Sequence, residues 1–174
     1  MTEPWKKITL TTLLLLAASC SYQNPKDMLQ NKTATPKATL VTDTSELEKL
    51  EIAAHEQVNQ YRLSQNLPPL TLNSTISQQA RIHSQNMADT QNLSHDGFQG
   101  RVKAIARTIP YRSAAENVAF NYGYSDPVTR AVEGWIDSPG HQKNMVGDFG
   151  QAGMGIAVSP EGHYYFTQIF IRSR

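Results

Sequence analysis

Apolar side chains recur every three or four residues in several stretches of the chain, which is the spacing that places them on one face of a helix. The first such stretch predicts an amphipathic helix over residues 46–65, which Asn66, Pro68 and Pro69 end. Its apolar stripe consists of Leu47, Leu50, Ala54, Val58 and Tyr61.

The second stretch predicts a helix that begins after Asn73 and ends near Asn92, because asparagine is a favoured N-cap residue. A further short helix is predicted over residues 101–107. The inward stripe of the second helix is Ile76, Ala80, His83 and Met87.

A third stretch predicts a helix with Asp126 as its cap and Pro127 at its first position. The segment Ser138-Pro139-Gly140 ends that helix, and its Ser-Pro pair can open a new short helix with His141 in the first turn. The stripe of the third helix is Val128, Ala131, Val132, Trp135 and Ile136.

Alternating apolar and polar residues predict a strand over residues 117–122. Residues 152–158 and 164–171 flank a Ser-Pro-Glu-Gly turn and predict a β-hairpin. Helices that outnumber the strands and alternate with them predict an α+β fold, with an antiparallel sheet layered between helices.

The N-terminal residues 1–19 predict a secretory signal. Lys6 and Lys7 precede an apolar run that is too short to cross a bilayer, and small residues then precede Cys20. This arrangement resembles the lipobox of a bacterial lipoprotein, in which the cysteine is lipidated. The alternative is an ordinary cleaved signal that leaves an unpaired thiol. Because Cys20 is the only cysteine, the fold must rest on its core without an internal disulfide.

Residues 20–45 are rich in threonine and poor in apolar side chains, so we expect a flexible tether between the lipidated Cys20 and a domain over residues 46–174. Loss of the signal removes Lys6, Lys7 and Glu3 from 16 basic and 15 acidic residues, which leaves 14 of each. A neutral chain without a basic stripe argues against a nucleic-acid partner. We expect a monomer in the extracytoplasmic envelope, lipid-anchored to a membrane.

Three side chains stand out as candidate ligands. His141 lies where a helix N-terminus disfavours a charged imidazole, and it is equally a metal ligand or a residue that caps a turn. His95 lies in a turn, where simple exposure is the stronger interpretation on sequence alone. Glu116 begins a strand, where a carboxylate either faces solvent or serves a site.

Other polar residues have weaker cases. Asp137 ends a helix, where the dipole is unfavourable for an anion, and His83 fits the core or the surroundings of a site better than it fits a ligand set. Ser138 has poor geometry for a nucleophile activated by His141, and no Gly-x-Ser-x-Gly elbow is present. We expect His55 and His163 to be bystanders.

Several collinear motifs together resemble those of a bacterial CAP-superfamily domain, also described as SCP-like or cysteine-rich secretory, antigen 5 and pathogenesis-related. The resemblance covers about residues 46–172. The motifs are Leu93-Ser94-His95, Ala115-Glu116-Asn117, the run 135–144, and residues 59–62, 67–73, 83–88 and 165–170.

The resemblance implies a three-layer α-β-α sandwich with a central antiparallel sheet and a polar cleft. Carried over by motif, it implies a divalent metal, with zinc as the first choice, at His95, Glu116 and His141. The remaining residues that it implies for the cleft or the surroundings of the metal are Asp137, Ser138, His83 and Asn144.

Two function classes follow from the resemblance. The first is a lipid-anchored envelope module that binds a metal and a small-molecule or lipid ligand. The second is a metal-dependent hydrolase of peptides or cell-wall material, because two histidines and one carboxylate with an open position are typical of catalytic zinc sites. Family membership alone does not fix an activity.

Overall fold

Helices cover both faces of a four-stranded sheet in a computed structural model of the chain, which describes residues 43–174. The predicted signal, Cys20 and nearly all of the predicted tether lie outside the described residues. Among residues 43–174, none of the helices combines the length and apolar character needed to cross a bilayer. The elements in chain order are α1 (Thr44–Ser64), β1 (Thr71–Leu72), α2 (Ser74–Thr90), α3 (Phe98–Ala106), β2 (Tyr111–Asn121), α4 (Pro127–Asp137), α5 (Pro139–Met145), β3 (Gln151–Val158) and β4 (Tyr164–Ser173).

The strand order across the sheet is β1-β3-β4-β2. The β3–β4 hairpin and the β4–β2 pair are antiparallel, which confirms the predicted α+β class and central antiparallel sheet. Two features differ from the prediction. β1 adds a two-residue parallel edge, and two residues are too few to show any periodicity. β2 begins at Tyr111 rather than at 117, since its first half has no clear apolar alternation.

One face of the sheet packs against α1, α4 and α5. Trp135 of α4 is 1% exposed and contributes the largest fully buried side chain of the described core. Its Nε1 donates to the carbonyl oxygen of Val118 at 3.0 Å. The indole ring therefore fills the core while its N–H satisfies a backbone carbonyl of β2. The core residues that surround it include Ala54, Val58, Val132, Met154, Phe166 and Phe170.

The other face lies against α2, which approaches β3 unusually closely. A Cβ atom at Gly153 would overlap backbone atoms of Ile76 and Ser77, and one at Gly155 would overlap those of Ala80 and Arg81. The contact is tied by the Ser84 hydroxyl, which donates to the Gly155 carbonyl at 2.9 Å. The two glycines therefore set how far α2 stands from the sheet.

The predicted helix starts are confirmed at two positions. Asn73 precedes α2 and its side chain accepts from the backbone N–H of Thr75 at 2.9 Å. Asp126 precedes α4 and accepts from the N–H of Thr129 at 2.9 Å, with Pro127 at the start of the helix. These side chains satisfy N–H groups that have no partner within the helix.

A buried guanidinium joins the end of α1 to the segment after α5. Arg62 is 2% exposed and donates to the carbonyl oxygens of Pro68 at 2.9 Å, Met145 at 2.7 Å and Gly147 at 3.0 Å. Burial lowers the pKa of Arg62, and the charge of Asp148 partly offsets that effect. Five N–H donors in a fixed plane suit this bridging of several carbonyls.

His55 is buried in the core and makes no hydrogen bond to His95, Glu116 or His141. It is 6% exposed, and its Nε2 donates to the Leu70 carbonyl at 3.1 Å. Its Nδ1 is buried and has no hydrogen-bond partner among residues 43–174. Desolvation lowers the pKa of His55, because the charged ring would carry a second N–H with no acceptor. The same carbonyl also accepts from Asn59 Nδ2 at 3.0 Å.

Replacement of Gly155 by alanine should destabilise the fold, because the added methyl would overlap the backbone of α2. Overpacking of this kind typically costs about 1–3 kcal/mol. Gly134→Ala in α4 is the matched control: its Cβ would meet no atom within 4 Å, and alanine should stabilise a helix interior by about 0.5–1 kcal/mol. Urea unfolding of both variants measures the difference, and equal stabilities would contradict the close approach.

Candidate functional site

A buried ion pair lies at the centre of the candidate site. Arg101 on α3 donates from Nε to Oε2 of Glu116 at 2.9 Å and from Nη2 to Oε1 at 2.8 Å. The two side chains are 9% and 2% exposed. A bidentate, charge-assisted pair of this geometry holds both groups in fixed orientations. Glu116 therefore does not face solvent, although it lies on the edge strand β2.

The same guanidinium fixes the turn that carries His95. Its Nη1 donates to the Asp96 carbonyl at 2.6 Å and to Nδ1 of His83 at 3.0 Å. His83 in turn donates from Nε2 to the Ser94 carbonyl at 2.8 Å. Burial lowers the pKa of His83 and the charge of Arg101 acts in the same direction, which keeps the ring neutral and able to accept from Arg101.

His95 extends this network towards solvent. Its Nδ1 donates to Oε1 of Glu116 at 2.9 Å, while its side chain is 53% exposed. A proton held on Nδ1 by a carboxylate leaves Nε2 as the nitrogen with a free lone pair. Among residues 43–174, no protein group is hydrogen-bonded to that Nε2.

His141 lies in the first turn of α5 and is partly buried. Burial lowers the pKa of His141, and the charge of His95 lowers it further. The backbone carbonyl of His141 accepts from the Asn117 amide at 3.1 Å, which holds the start of α5 beside the strand that carries Glu116, the partner of His95. A neutral His141 has a lone pair available for a ligand at neutral pH.

Two asparagines hold α5 against β2 beside these histidines. Asn117 is fully buried, and its Nδ2 donates to the His141 carbonyl at 3.1 Å. Asn144 donates from Nδ2 to Oδ1 of Asn117 at 2.9 Å and to the Glu116 carbonyl at 3.2 Å. Asn144 thus acts through the backbone and the neighbouring amide, and it sets the distance of His141 from the strand that carries Glu116.

Asp137 and Ser138 lie apart from this network. Asp137 is exposed at the end of α4 and makes no hydrogen bond or ion pair with the site within residues 43–174. Ser138 precedes α5, where its carbonyl accepts from the Gln142 N–H at 2.8 Å. Its hydroxyl makes no hydrogen bond to His141, so the arrangement does not form a serine–histidine pair.

The candidate site supplies two imidazole rings as metal ligands rather than a complete ligand set. Within residues 43–174, no group of three or more histidine, cysteine or acidic side chains is arranged to hold a metal ion. Both oxygens of Glu116 already accept from Arg101, and one accepts from His95 as well. Glu116 is therefore suited to orienting His95, and the nitrogens available to a metal are those of His95 and His141.

Sequence reasoning missed two residues of the site. Arg101 begins the predicted 101–107 helix, and its only signal was a cation beside apolar Val102 and Ile105. Asn117 adjoins Glu116 in a quoted motif, but nothing in the sequence indicated that its amide reaches α5. Both residues act through side-chain contacts with residues that lie 15 or more positions away in the sequence, and local sequence patterns do not reveal such contacts.

Glu116→Gln should destabilise the protein strongly, because it leaves the buried Arg101 cation without its counter-charge. Removal of one partner from a buried pair costs about 3–5 kcal/mol. Glu46→Gln is the matched control, since Glu46 pairs with Lys49 on the surface at 57% exposure and should contribute less than about 1 kcal/mol. Chemical denaturation at pH 7 compares the two, and a loss no larger than that of the control would contradict the assigned pair.

Comparison with known proteins places this arrangement in a family. A family model described as CAP, the cysteine-rich secretory protein family, matches residues 55–170. YkwD, an uncharacterized protein of Bacillus subtilis (strain 168), is 31% identical over 143 residues, which are 80% of this chain and 53% of YkwD. The uncharacterized membrane protein YlbC of the same organism is 29% identical over 71% of this chain and 36% of YlbC. The chain therefore spans about half of the length of YkwD and about a third of the length of YlbC.

Solved structures share the fold. An outer surface protein from Borrelia burgdorferi superposes with a TM-score of 0.64 at 18% identity, over 76% of this chain and 96% of that one. An extracellular protein containing an SCP domain from Bacillus anthracis has a TM-score of 0.60 at 28% identity, over 75% of this chain and 44% of that one. Because the family model covers well over half of the sequence, this chain belongs to the CAP, or cysteine-rich secretory protein, family.

Proposed function

We propose that this protein is an extracytoplasmic CAP-domain binding module whose site holds a divalent metal, with zinc as the first choice, through Nε2 of His95 and the ring of His141. The observation that carries the proposal is the 2.9 Å contact between His95 Nδ1 and Oε1 of a fully paired Glu116. A carboxylate on the far nitrogen of a histidine fixes the tautomer and raises the basicity of the near one. A bound zinc would supply a Lewis-acidic centre for ligand atoms.

The charges around the site support this assignment. The Arg101 guanidinium neutralises Glu116, so the carboxylate can orient His95 without being drawn to the metal itself. The lowered pKa of His141 keeps that ring unprotonated, which is the form that binds metals. Solvent or ligand atoms would complete the coordination, which is consistent with a site for a small molecule.

The proposed location rests on the N-terminal sequence and on relatives. Residues 1–19 have the composition of a secretory signal, and Cys20 follows small residues as in a lipoprotein. Two solved relatives are described as an outer surface protein and an extracellular protein. We place this chain at the bacterial envelope, attached to a membrane through Cys20, with residues 20–45 as its tether.

A second candidate function is metal-dependent hydrolysis of peptides or cell-wall material. The same His95–Glu116 contact favours it, because histidine ligands oriented by a carboxylate, with open coordination positions on the metal, are typical of catalytic zinc sites. It ranks second, since the sequence has no His-Glu-x-x-His motif to supply a separate general base beside the metal: His55-Glu56 is followed by Asn59 at the position of the second histidine.

Calorimetric titration of the soluble domain with Zn²⁺ tests the metal site. His95→Ala and His141→Ala should each weaken binding by at least about tenfold, since even the outer partners of a metal ligand are worth that much. Binding should also weaken below about pH 6, because a protonated imidazole cannot ligate.

His163→Ala is the matched control, because His163 lies against Phe120 and Tyr122 rather than at the site. Zinc binding by a His95→Ala/His141→Ala double variant that equals the wild type would overturn the assignment. Peptide and cell-wall hydrolysis by the same samples separates the two functions: activity that both single variants and a chelator abolish favours the hydrolase.

The anchor has its own test. Mass spectrometry of the membrane fraction should find an acylated peptide that begins at Cys20, and Cys20→Ala should move the protein to the soluble fraction. A mature wild-type protein that is soluble and carries no acyl group would remove the anchor from the proposal and leave the metal site untouched.

A further inference from the structure

Aromatic rings are exposed together at the far end of β2, outside the histidine site. Phe120, Tyr122 and Tyr124 are 38%, 60% and 52% exposed, although large apolar side chains are usually covered. They line an open trough of about 480 Å³, a volume within the usual range of small-ligand sites. The residues of this aromatic trough are Phe120, Asn121, Tyr122, Gly123, Tyr124 and Arg130.

The rings are held in place rather than scattered. Phe120 packs on the buried Tyr165 with ring centroids 5.1 Å apart, and edge-on to His163 at 5.4 Å. Tyr122 lies 4.9 Å from the His163 ring. Gly123 has a φ of +75°, a conformation that turns the chain between the two tyrosines and that other residues rarely adopt. The trough is therefore a preformed surface with three ring faces.

A single cation borders the trough. The Arg130 guanidinium lies over the Tyr124 ring, 5.5 Å from its centroid, and forms no ion pair with an acidic group in residues 43–174. Asp126, one helical turn before it, uses its carboxylate on the N–H and hydroxyl of Thr129 at 2.9 and 2.7 Å. A guanidinium stacked on a ring keeps its N–H edge free for a carboxylate.

Asn121 supports the wall of the trough from inside the fold. Asn121 is 6% exposed and donates from Nδ2 to the Pro127 carbonyl at 2.8 Å, but its Oδ1 has no partner within residues 43–174. A buried acceptor left unpaired is costly. Because this oxygen is buried, the polar contacts open to a ligand in the trough are the hydroxyls of Tyr122 and Tyr124 and the guanidinium of Arg130.

We infer that the aromatic trough binds a saccharide that carries a carboxylate. The C–H faces of pyranose rings pack on aromatic faces, sugar hydroxyls match the hydroxyls of Tyr122 and Tyr124, and the carboxylate pairs with Arg130. Phe120 lies four residues from Glu116 along β2, about 13 Å at the rise of a strand, so the trough is separate from the histidine site.

A membrane surface fits the trough less well. Peripheral attachment to anionic lipids depends on several basic side chains, each contributing about 1 kcal/mol. The trough contains one cation, and its aromatic faces line a depression rather than a projecting wedge. A lipid surface is therefore the competing occupant that the experiment must separate.

Fluorescence or calorimetric titration with a disaccharide of N-acetylglucosamine and N-acetylmuramic acid tests the inference, with the neutral N,N′-diacetyl form of chitobiose as the paired probe and a chelator present throughout. The wild type should bind the acidic sugar more tightly than the neutral one. Arg130→Ala should lower the affinity for the acidic sugar by about tenfold, the worth of one charge-assisted contact, and leave that for chitobiose unchanged.

Tyr122→Ala and Tyr124→Ala should weaken both sugars, and their exposed positions should leave thermal unfolding unchanged. Arg112→Ala is the matched control, because Arg112 is an exposed arginine at the opposite end of the same strand. Equal sugar binding by the wild type and the tyrosine variants would overturn the inference. It would also be overturned if the wild type binds neither sugar but sediments with anionic vesicles, and Tyr122→Ala abolishes that sedimentation. The chelator keeps this result independent of the metal site.

Discussion

The closeness of α2 to β3 is the constraint on which the rest of the structure depends. Gly153 and Gly155 are two residues apart on β3, so both lack a side chain on the same face of the strand. The backbone of α2 lies in the space that this leaves. His83 and Ser84 on the inner side of α2 then reach Arg101 and the sheet. A helix standing one methyl group further away would lose these contacts, and with them the support of the turn that carries His95.

Two buried arginines then position the two halves of the site by different chemistry. Arg62 has only carbonyl acceptors and ties α1 to the segment after α5, the helix that carries His141. Arg101 has a carboxylate as well as carbonyls, and it ties the His95 turn to β2. Burial of a cation is expensive unless its donors are satisfied, so each guanidinium tolerates little displacement of the segments around it.

Local patterns predicted most of the fold, because caps and stripes depend on neighbours along the chain, whereas His95 and His141 were assigned as ligands only through the resemblance to the family. Asn73 and Asp126 were recognisable from such neighbours. The start of β2 was missed since an edge strand needs no apolar alternation, and the partners of Glu116 were missed since they come from a separate helix. His55 looked peripheral because the carbonyl that it contacts arrives from 15 residues away.

Strand β2 ends the sheet, yet side chains occupy its outer carbonyls where another strand would pair. Trp135 takes the oxygen of Val118 and Asn144 takes that of Glu116. A bare edge strand is a template on which a second polypeptide can add itself. These two oxygens are therefore not available as acceptors for an added strand. A second polypeptide that added to this stretch of β2 would first have to displace the Trp135 indole and the Asn144 amide.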